Sequence, residues 1–195
     1  MSYSGHIFQP SGLFLYQMRR CDTIFLFLLA GVLPAAAQTL KPVAESSAVQ
    51  FKIKNFGTNC NGTFTGLEGT IVFDPAQPAA AKFDMSVDAN SVDTNIGLRD
   101  NHLRKEEYFD VATYARIRFV STAVTASSPG KYTMTGNLTI KTTTKSISFP
   151  FTYTSSSGVS VFEGEFPLNR RDYKVGGGSF SLSDNLTVQL KVTAR

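Results

Sequence analysis

Residues 131–153, KYTMTGNLTIKTTTKSISFPFTY, contain two apolar series of period two on either side of a short polar break. Tyr132, Met134, Leu138 and Ile140 share one parity, with Gly136 holding the place between them; Ile147, Phe149, Phe151 and Tyr153 form the next series. Successive strand side chains point to opposite faces, so each series predicts a half-buried β-strand. Residues 141–145 form the turn between them, which makes the pair antiparallel.

The same period extends outward in both directions. Upstream, Val49, Phe51 and Ile53 alternate with Gln50, Lys52 and Lys54, and Leu67, Ile71 and Phe73 follow glycines at 62, 66 and 69. Phe83, Met85 and Val87 oppose Lys82, Asp84, Ser86 and Asp88, while Ile117 and Phe119 oppose Arg116 and Arg118. Downstream, the apolar parity slips from Val159 and Val161 to Phe162, Phe166 and Leu168, which predicts a β-bulge near Gly164. Leu186, Val188, Leu190 and Val192 supply the last strand. About eight antiparallel strands with one apolar face predict an all-β fold, an eight-stranded barrel rather than a sandwich, because closure removes exposed edges. Sixteen Phe and seven Tyr, with no Trp, place many rings at inward parity. A barrel of this size is either filled by its side chains or holds one small ligand, and periodicity leaves both readings open.

Residues 91–119, SVDTNIGLRDNHLRKEEYFDVATYARIRF, break the alternation. Asp93 or Thr94 is a candidate cap for a short helical connection within residues 94–110, lying over one barrel end. Arg99, Asp100 and His102 sit close together there, and structural ties to neighbouring backbone are the simpler reading of the first two. His102 is the one histidine after residue 37, so a Ser-His-Asp or Cys-His device would have to use it, and no nucleophile-elbow motif accompanies it. Cys60 is likewise the one cysteine in that region, which excludes an internal disulfide. HExxH and CxxC spacings are absent, so neither a metal nor a cofactor is expected. Gly176–Gly178 is a glycine run without a phosphate-cradle spacing, and the N-x-T triplets at Asn61, Asn137 and Asn185 receive no role.

The first 37 residues read as a secretory leader. Arg19 and Arg20 precede an apolar run, Ile24 to Leu33, followed by Pro34 and three alanines, with cleavage expected before Gln38; residues 1–17 are an upstream extension if translation starts at Met18. The run is shorter than the ~20 residues a spanning helix needs. One domain, residues 38–195, is left. The formal net charge of +4 is scattered singly along the strands, so no nucleic-acid footprint emerges.

The stretch at 91–119, with GNLTIKTTTKSISFPF at 136–151 and LNRRDYKVGGGSFSLSDNLTVQLKVTA at 168–194, resembles the YceI-like family of exported polyisoprenoid-binding proteins. The order of motifs is kept from Phe51 to Ala194, and RDxHL followed by FDV is the most specific part; Ala115 and Thr142 stand where the family usually carries proline and glycine. The resemblance implies a periplasmic lipocalin-like barrel whose apolar cavity binds, stores or transports a polyisoprenoid lipid of quinone or polyprenyl type, without catalysis. Inward parity nominates Phe51, Ile53, Phe83, Met85, Val87, Phe119, Tyr132, Met134, Phe149, Phe151, Phe166, Phe180, Leu186 and Val188 as its wall. Family position and charge nominate Arg99, Asp100, His102 and Arg170 for its polar mouth. Two other readings stay open: an enzyme acting on a bound lipid with His102 as general base, and a solid-core structural barrel. A two-fold association through an outer face is compatible with each.

Overall fold

A computed structural model describes residues 38–195, so the expected leader and its cleavage point lie outside the described residues. The chain forms one antiparallel ten-stranded sheet: β1 (Thr39–Leu40), β2 (Ala48–Asn55), β3 (Thr58–Phe64), β4 (Glu68–Val72), β5 (Lys82–Asp88), β6 (Arg116–Ser128), β7 (Lys131–Ile140), β8 (Thr143–Ser156), β9 (Val159–Asn169) and β10 (Leu182–Ala194). Its spatial order is β1-β4-β5-β6-β7-β8-β9-β10-β2-β3, with the last strand returning to pair with β2. The strand count therefore corrects the expected eight. Each of the eight apolar series became a strand. The two additional strands lack the signal: β1 has two residues, and β3, TNCNGTF, mixes Asn, Thr, Cys and Gly without a hydropathy period.

The sheet curls, and segments outside its long ladders stitch the seam. Leu40 pairs with Ile71 on β4; one residue later Lys41 exchanges backbone hydrogen bonds with Arg195 (2.9 and 3.1 Å), and Val43 N–H donates to Thr193 O at 2.7 Å. The N-terminal segment thus joins β4 to the end of β10. Farther along the seam, Thr63 of β3 pairs with Asp93 at 2.8 and 3.1 Å. These bonds occupy edge groups that would otherwise be open to pairing with another chain.

The expected bulge near Gly164 is absent, since β9 keeps continuous register with both neighbours. Ser160, Phe162 and Phe166 face inward and are buried, while Val159 and Val161 take the more accessible face, so two outward valines produced the apparent slip. Register shifts occur instead in β6, between Ser121 and Ala123 and between Ala126 and Ser128, and in β10, between Leu182 and Leu186. The turn between β7 and β8 is tighter than expected, with Ile140 facing Thr143 and Lys141 in left-handed backbone at φ 54°.

Two clusters fill the interior at different levels of the same strands. Phe73, Phe83, Tyr132, Phe151 and Phe162 dominate the first, beside Leu40 and Ala194 from the stitched seam. Phe73 meets Tyr132 edge-on at 5.2 Å and Tyr153 at 4.8 Å, and Tyr132 stacks on Phe151 at 5.3 Å. Leu138, Ile140, Tyr173 and Val175 form the second, with Tyr108 and Phe109 packed on it. Along β7 the side chains pass from the first cluster, at Tyr132 and Met134, to the second, at Leu138 and Ile140. The helix α1 (Gly97–Leu103) belongs to the second end. Among the described residues, no helix is long and apolar enough to cross a membrane.

Candidate functional site

Between the two clusters the sheet encloses a cavity of about 440 Å³. Its wall follows from strand parity. Phe51 and Ile53 come from β2, Phe83, Met85 and Val87 from β5, Phe119 from β6 and Met134 from β7. Phe149 and Phe151 of β8, Phe166 of β9, and Leu186 and Val188 of β10 complete the set nominated from the sequence. The lining of β10 from Leu186 to Val192 spans roughly 20 Å at a strand rise of about 3.3 Å per residue. Spread over that length, the volume corresponds to a tube roughly 20 Å² in section, wide enough for one hydrocarbon chain.

Two nominated wall residues lie elsewhere. Tyr132 has the right parity, but its ring is buried in the aromatic cluster against Phe73 and Phe151 instead of bordering the void. Phe180 is fully exposed because it lies in the loop before β10, where strand parity has no meaning. The structure adds Phe64 of β3, tilted on Phe51 at 5.7 Å and edge-on to Phe109 at 5.4 Å, and also Leu103, Ile147, Phe162, Leu190 and Val192. Phe162, Leu190 and Val192 carried the alternation signal; Phe64 belongs to the strand that had none.

Glycines shape the wall as much as rings do. Gly62 faces Phe51 across the β2–β3 ladder, and a Cβ there would fall 2.2 Å from the ring. At Gly136 a Cβ would fall 2.4 Å from the Phe119 ring and 2.6 Å from the Val120 carbonyl. Both glycines leave room for a neighbouring phenylalanine to lie close to the strand.

The polar residues gather at the α1 end, where half-exposed His102 and exposed Ser179 border the cavity. The expected helix cap is not made: Ile96 stands at the N-cap, without a side-chain hydrogen bond. Buried Thr94 instead donates its N–H to Asp100 Oδ1 at 2.9 Å and its hydroxyl to the same oxygen. Asp100 is thereby turned inward and does not line the cavity, which corrects its placement at the mouth. Arg99 does line it. Its Nε donates to Thr94 Oγ1 at 2.7 Å, Nη2 to Thr94 O at 2.8 Å, and Nη1 to Cys60 Sγ at 3.5 Å. No carboxylate lies within ion-pair distance of Arg99 among the described residues.

Arg170 also borders the cavity, but its guanidinium is committed. It pairs with Asp184 at 2.7 Å and donates to the carbonyls of Val175, Gly177 and Ser183 at 2.9–3.0 Å. A buried cation needs such full partnering; here the partnering also fixes the loop that carries Phe180. His102 packs edge-on against Tyr108 at 4.9 Å, and its Nε2 is 4.0 Å from Glu107 Oε2. Among the described residues no nucleophile is hydrogen-bonded to the His102 ring, and no group of three or more His, Cys, Asp or Glu is placed to hold a metal ion. Beneath this end, burial and the nearby Asp172 push the Tyr173 phenol up to about 12; its hydroxyl is buried without a hydrogen-bond partner.

With this geometry established, likeness to known proteins becomes informative. The YceI-like domain model matches residues 39–194. A UPF0312 protein of Pseudomonas savastanoi pv. phaseolicola is 33% identical over 157 residues, 77% of this chain and 82% of that protein. A UPF0312 protein of Yersinia enterocolitica is 36% identical over 123 residues, and the match spans 64% of its length and 63% of this chain. Among solved structures, BcnA of Burkholderia cenocepacia superposes with a TM-score of 0.76 at 26% identity, covering 79% of this chain and 99% of BcnA. A polyisoprenoid binding domain from Saccharophagus degradans, implicated in plant cell wall breakdown, superposes at 0.66 over 80% of this chain and 97% of its own; at 16% identity that likeness concerns the fold.

Proposed function

This chain belongs to the YceI-like family, and from that premise we propose that it binds a polyisoprenoid lipid, of quinone or polyprenyl type, and carries or stores it in the periplasm without chemical turnover. The observation that carries this reading is the apolar cavity: rings that could have met at the centre leave about 440 Å³ open. The polyisoprenoid-binding neighbour from Saccharophagus degradans has the same fold and supports the ligand class.

Magnitudes bound the ligand. At roughly 30 Å³ per water-sized group, the tube accepts about fifteen methylene-sized groups, or about three isoprene units. At about 0.8 kcal/mol per buried methylene, that tail contributes about 12 kcal/mol, against association costs of ~4–15 kcal/mol. The tail thus offsets most of the cost, and contacts at the mouth decide the remaining affinity. Arg99 and half-exposed His102 are the groups available for them, since Arg170 is neutralised by Asp184 and Asp100 is held by Thr94.

Organic extraction of the natively purified protein, followed by mass spectrometry, tests the reading. Prenyl lipid should be recovered from the unaltered protein and lost from a folded Met85→Asp variant, which places a charge in the tube. Extracts free of prenyl lipid from protein expressed in a quinone-producing host would refute it.

A further inference from the structure

Among the described residues, the large apolar side chains that remain exposed are Phe56 (76%), Ile96 (51%), Leu98 (87%) and Phe180, which is fully exposed. Far apart in sequence, they converge on one end of the fold. Phe56 occupies the tip between β2 and β3, and its N–H donates to Ser181 O at 2.9 Å, one residue from Phe180. Ile96 and Leu98 open α1, whose Arg99 reaches back to Cys60 on β3. Ser179, Ser181, Asn55, Cys60, Arg99 and His102, which stand between these four in the chain and the fold, line the cavity. The exposed apolar residues therefore ring its mouth.

Phe56 is the least expected of them. Its φ of 49° is left-handed backbone, where glycine or asparagine is the usual occupant, yet the position carries an exposed aromatic. The charged residues within two positions of the four are Lys54, Arg99 and Asp100, and Asp100 is buried against Thr94. Exposed Lys54 and half-buried Arg99 thus stand beside the four apolar residues, and Glu107 stands beside His102 at the same end. Scattered exposed apolar residues are ordinary; four gathered round a cavity mouth mark an interaction surface.

We propose that this rim is a membrane-docking surface: Phe56, Ile96, Leu98 and Phe180 enter the headgroup–acyl boundary of a bilayer, and Lys54 and Arg99 meet its anionic phosphates. Apolar side chains inserted beside cations are the means by which peripheral proteins bind an interface. A second copy of the chain fits less well. The four side chains together offer on the order of 600 Å², short of the ~800 Å² that each partner of a standard interface buries, and the mouth interrupts them. The purpose of docking rests on the lipid-binding reading: a tail too insoluble to cross water passes from the bilayer into the tube directly.

Flotation with vesicles of phosphatidylethanolamine and phosphatidylglycerol tests docking, using the full chain as the cell processes it, with its N-terminus verified by mass spectrometry. The protein should float with the vesicles. Phe180→Ser, at a fully exposed loop position, should lower the bound fraction several-fold, and adding Leu98→Ser and Phe56→Asn should lower it about tenfold or more. Asparagine tolerates the left-handed turn, so the triple variant should keep its unaltered circular dichroism. Docking is overturned if the unaltered protein stays out of the vesicle fraction, or if the folded triple variant floats equally well. A dimer in sedimentation that the triple variant dissolves would overturn it in favour of self-association. Flotation that depends on the rim, together with lipid-free extracts, would support docking and refute the lipid-binding reading, so the two failures are distinguishable.

Discussion

The two ends of the curled sheet are built from the same strands, yet one is packed shut and the other is held by polar clamps. At the seam-stitched end, Phe73, Tyr132, Phe151, Tyr153 and Phe162 pack ring against ring at 4.8–6.3 Å. At the α1 end, Thr94 with Asp100, and Arg170 with Asp184 and the carbonyls of Val175, Gly177 and Ser183, do the equivalent work through hydrogen bonds. Phe73, Tyr132 and Tyr153 fill their level without bordering the void, whereas a clamp made of directed bonds fixes backbone and leaves the volume below it open. The contrast accounts for a tube that is sealed at one level and accessible at the other.

Substitutions at the two ends should separate these roles. Phe73→Ala removes a buried ring that does not border the void and should lower unfolding free energy by about 3–5 kcal/mol in urea titration. Leu186→Ala, beside an existing void, should cost no more than about 1–2 kcal/mol; equal losses would erase the distinction between the ends. Tyr173 gives the next largest effect. Its folded pKa lies above the ordinary 10, so its contribution is fully present below pH ~10 and falls away toward pH ~12, by about 2–3 kcal/mol. Tyr173→Phe should abolish that alkaline loss and leave neutral stability unchanged or higher, because the hydroxyl it removes is buried without a partner. Gly136→Ala should cost about 1–3 kcal/mol, since the new methyl meets the Val120 backbone as well as a ring. Gly62→Ala meets only the Phe51 ring, so it should push that ring into the tube and reduce lipid content with less effect on stability.

The smallest effect lies on the outer face. Arg118 donates to Asp84 at 2.6 and 2.8 Å, and this hydrogen bond holds the Asp84 carboxyl below its usual range. A depressed folded pKa contributes stability above pH ~3.9 that is lost as pH falls further. Solvent screens the pair, so Asp84→Asn should produce only a slight change in the acid limb of a pH–stability profile.

Alternation made most of the fold legible, because a half-buried strand must display its two faces in turn. It identified eight of the ten strands and placed most wall residues on the inner side. It could not identify β3, whose Gly62 is small because Phe51 occupies the space a side chain would need. Nor does parity distinguish lining from filling. Tyr132 and Met134 share a face, but only the three-dimensional meeting of Phe73 with Tyr132 seals one level and leaves the other open. Charge was a weaker guide at the mouth. Arg99 and Asp100 are adjacent in sequence, and only the fold reveals that Thr94 holds the carboxylate inward while the guanidinium faces the cavity. The chemistry of Asp100 and Arg170 is absorbed by partners, Thr94 and Asp184 with neighbouring backbone, that no hydropathy pattern announces.

The stitch between residues 41–43 and 193–195 also bears on how the molecule is made. Residues 41–43 are synthesised long before 193–195, so until β10 emerges, β2 lacks that neighbour and the seam stays unfastened. Such long-range pairing is slow and leaves edges unprotected in the interim. The unpaired edge of β2 is thus a site for wrong pairing before β10 arrives.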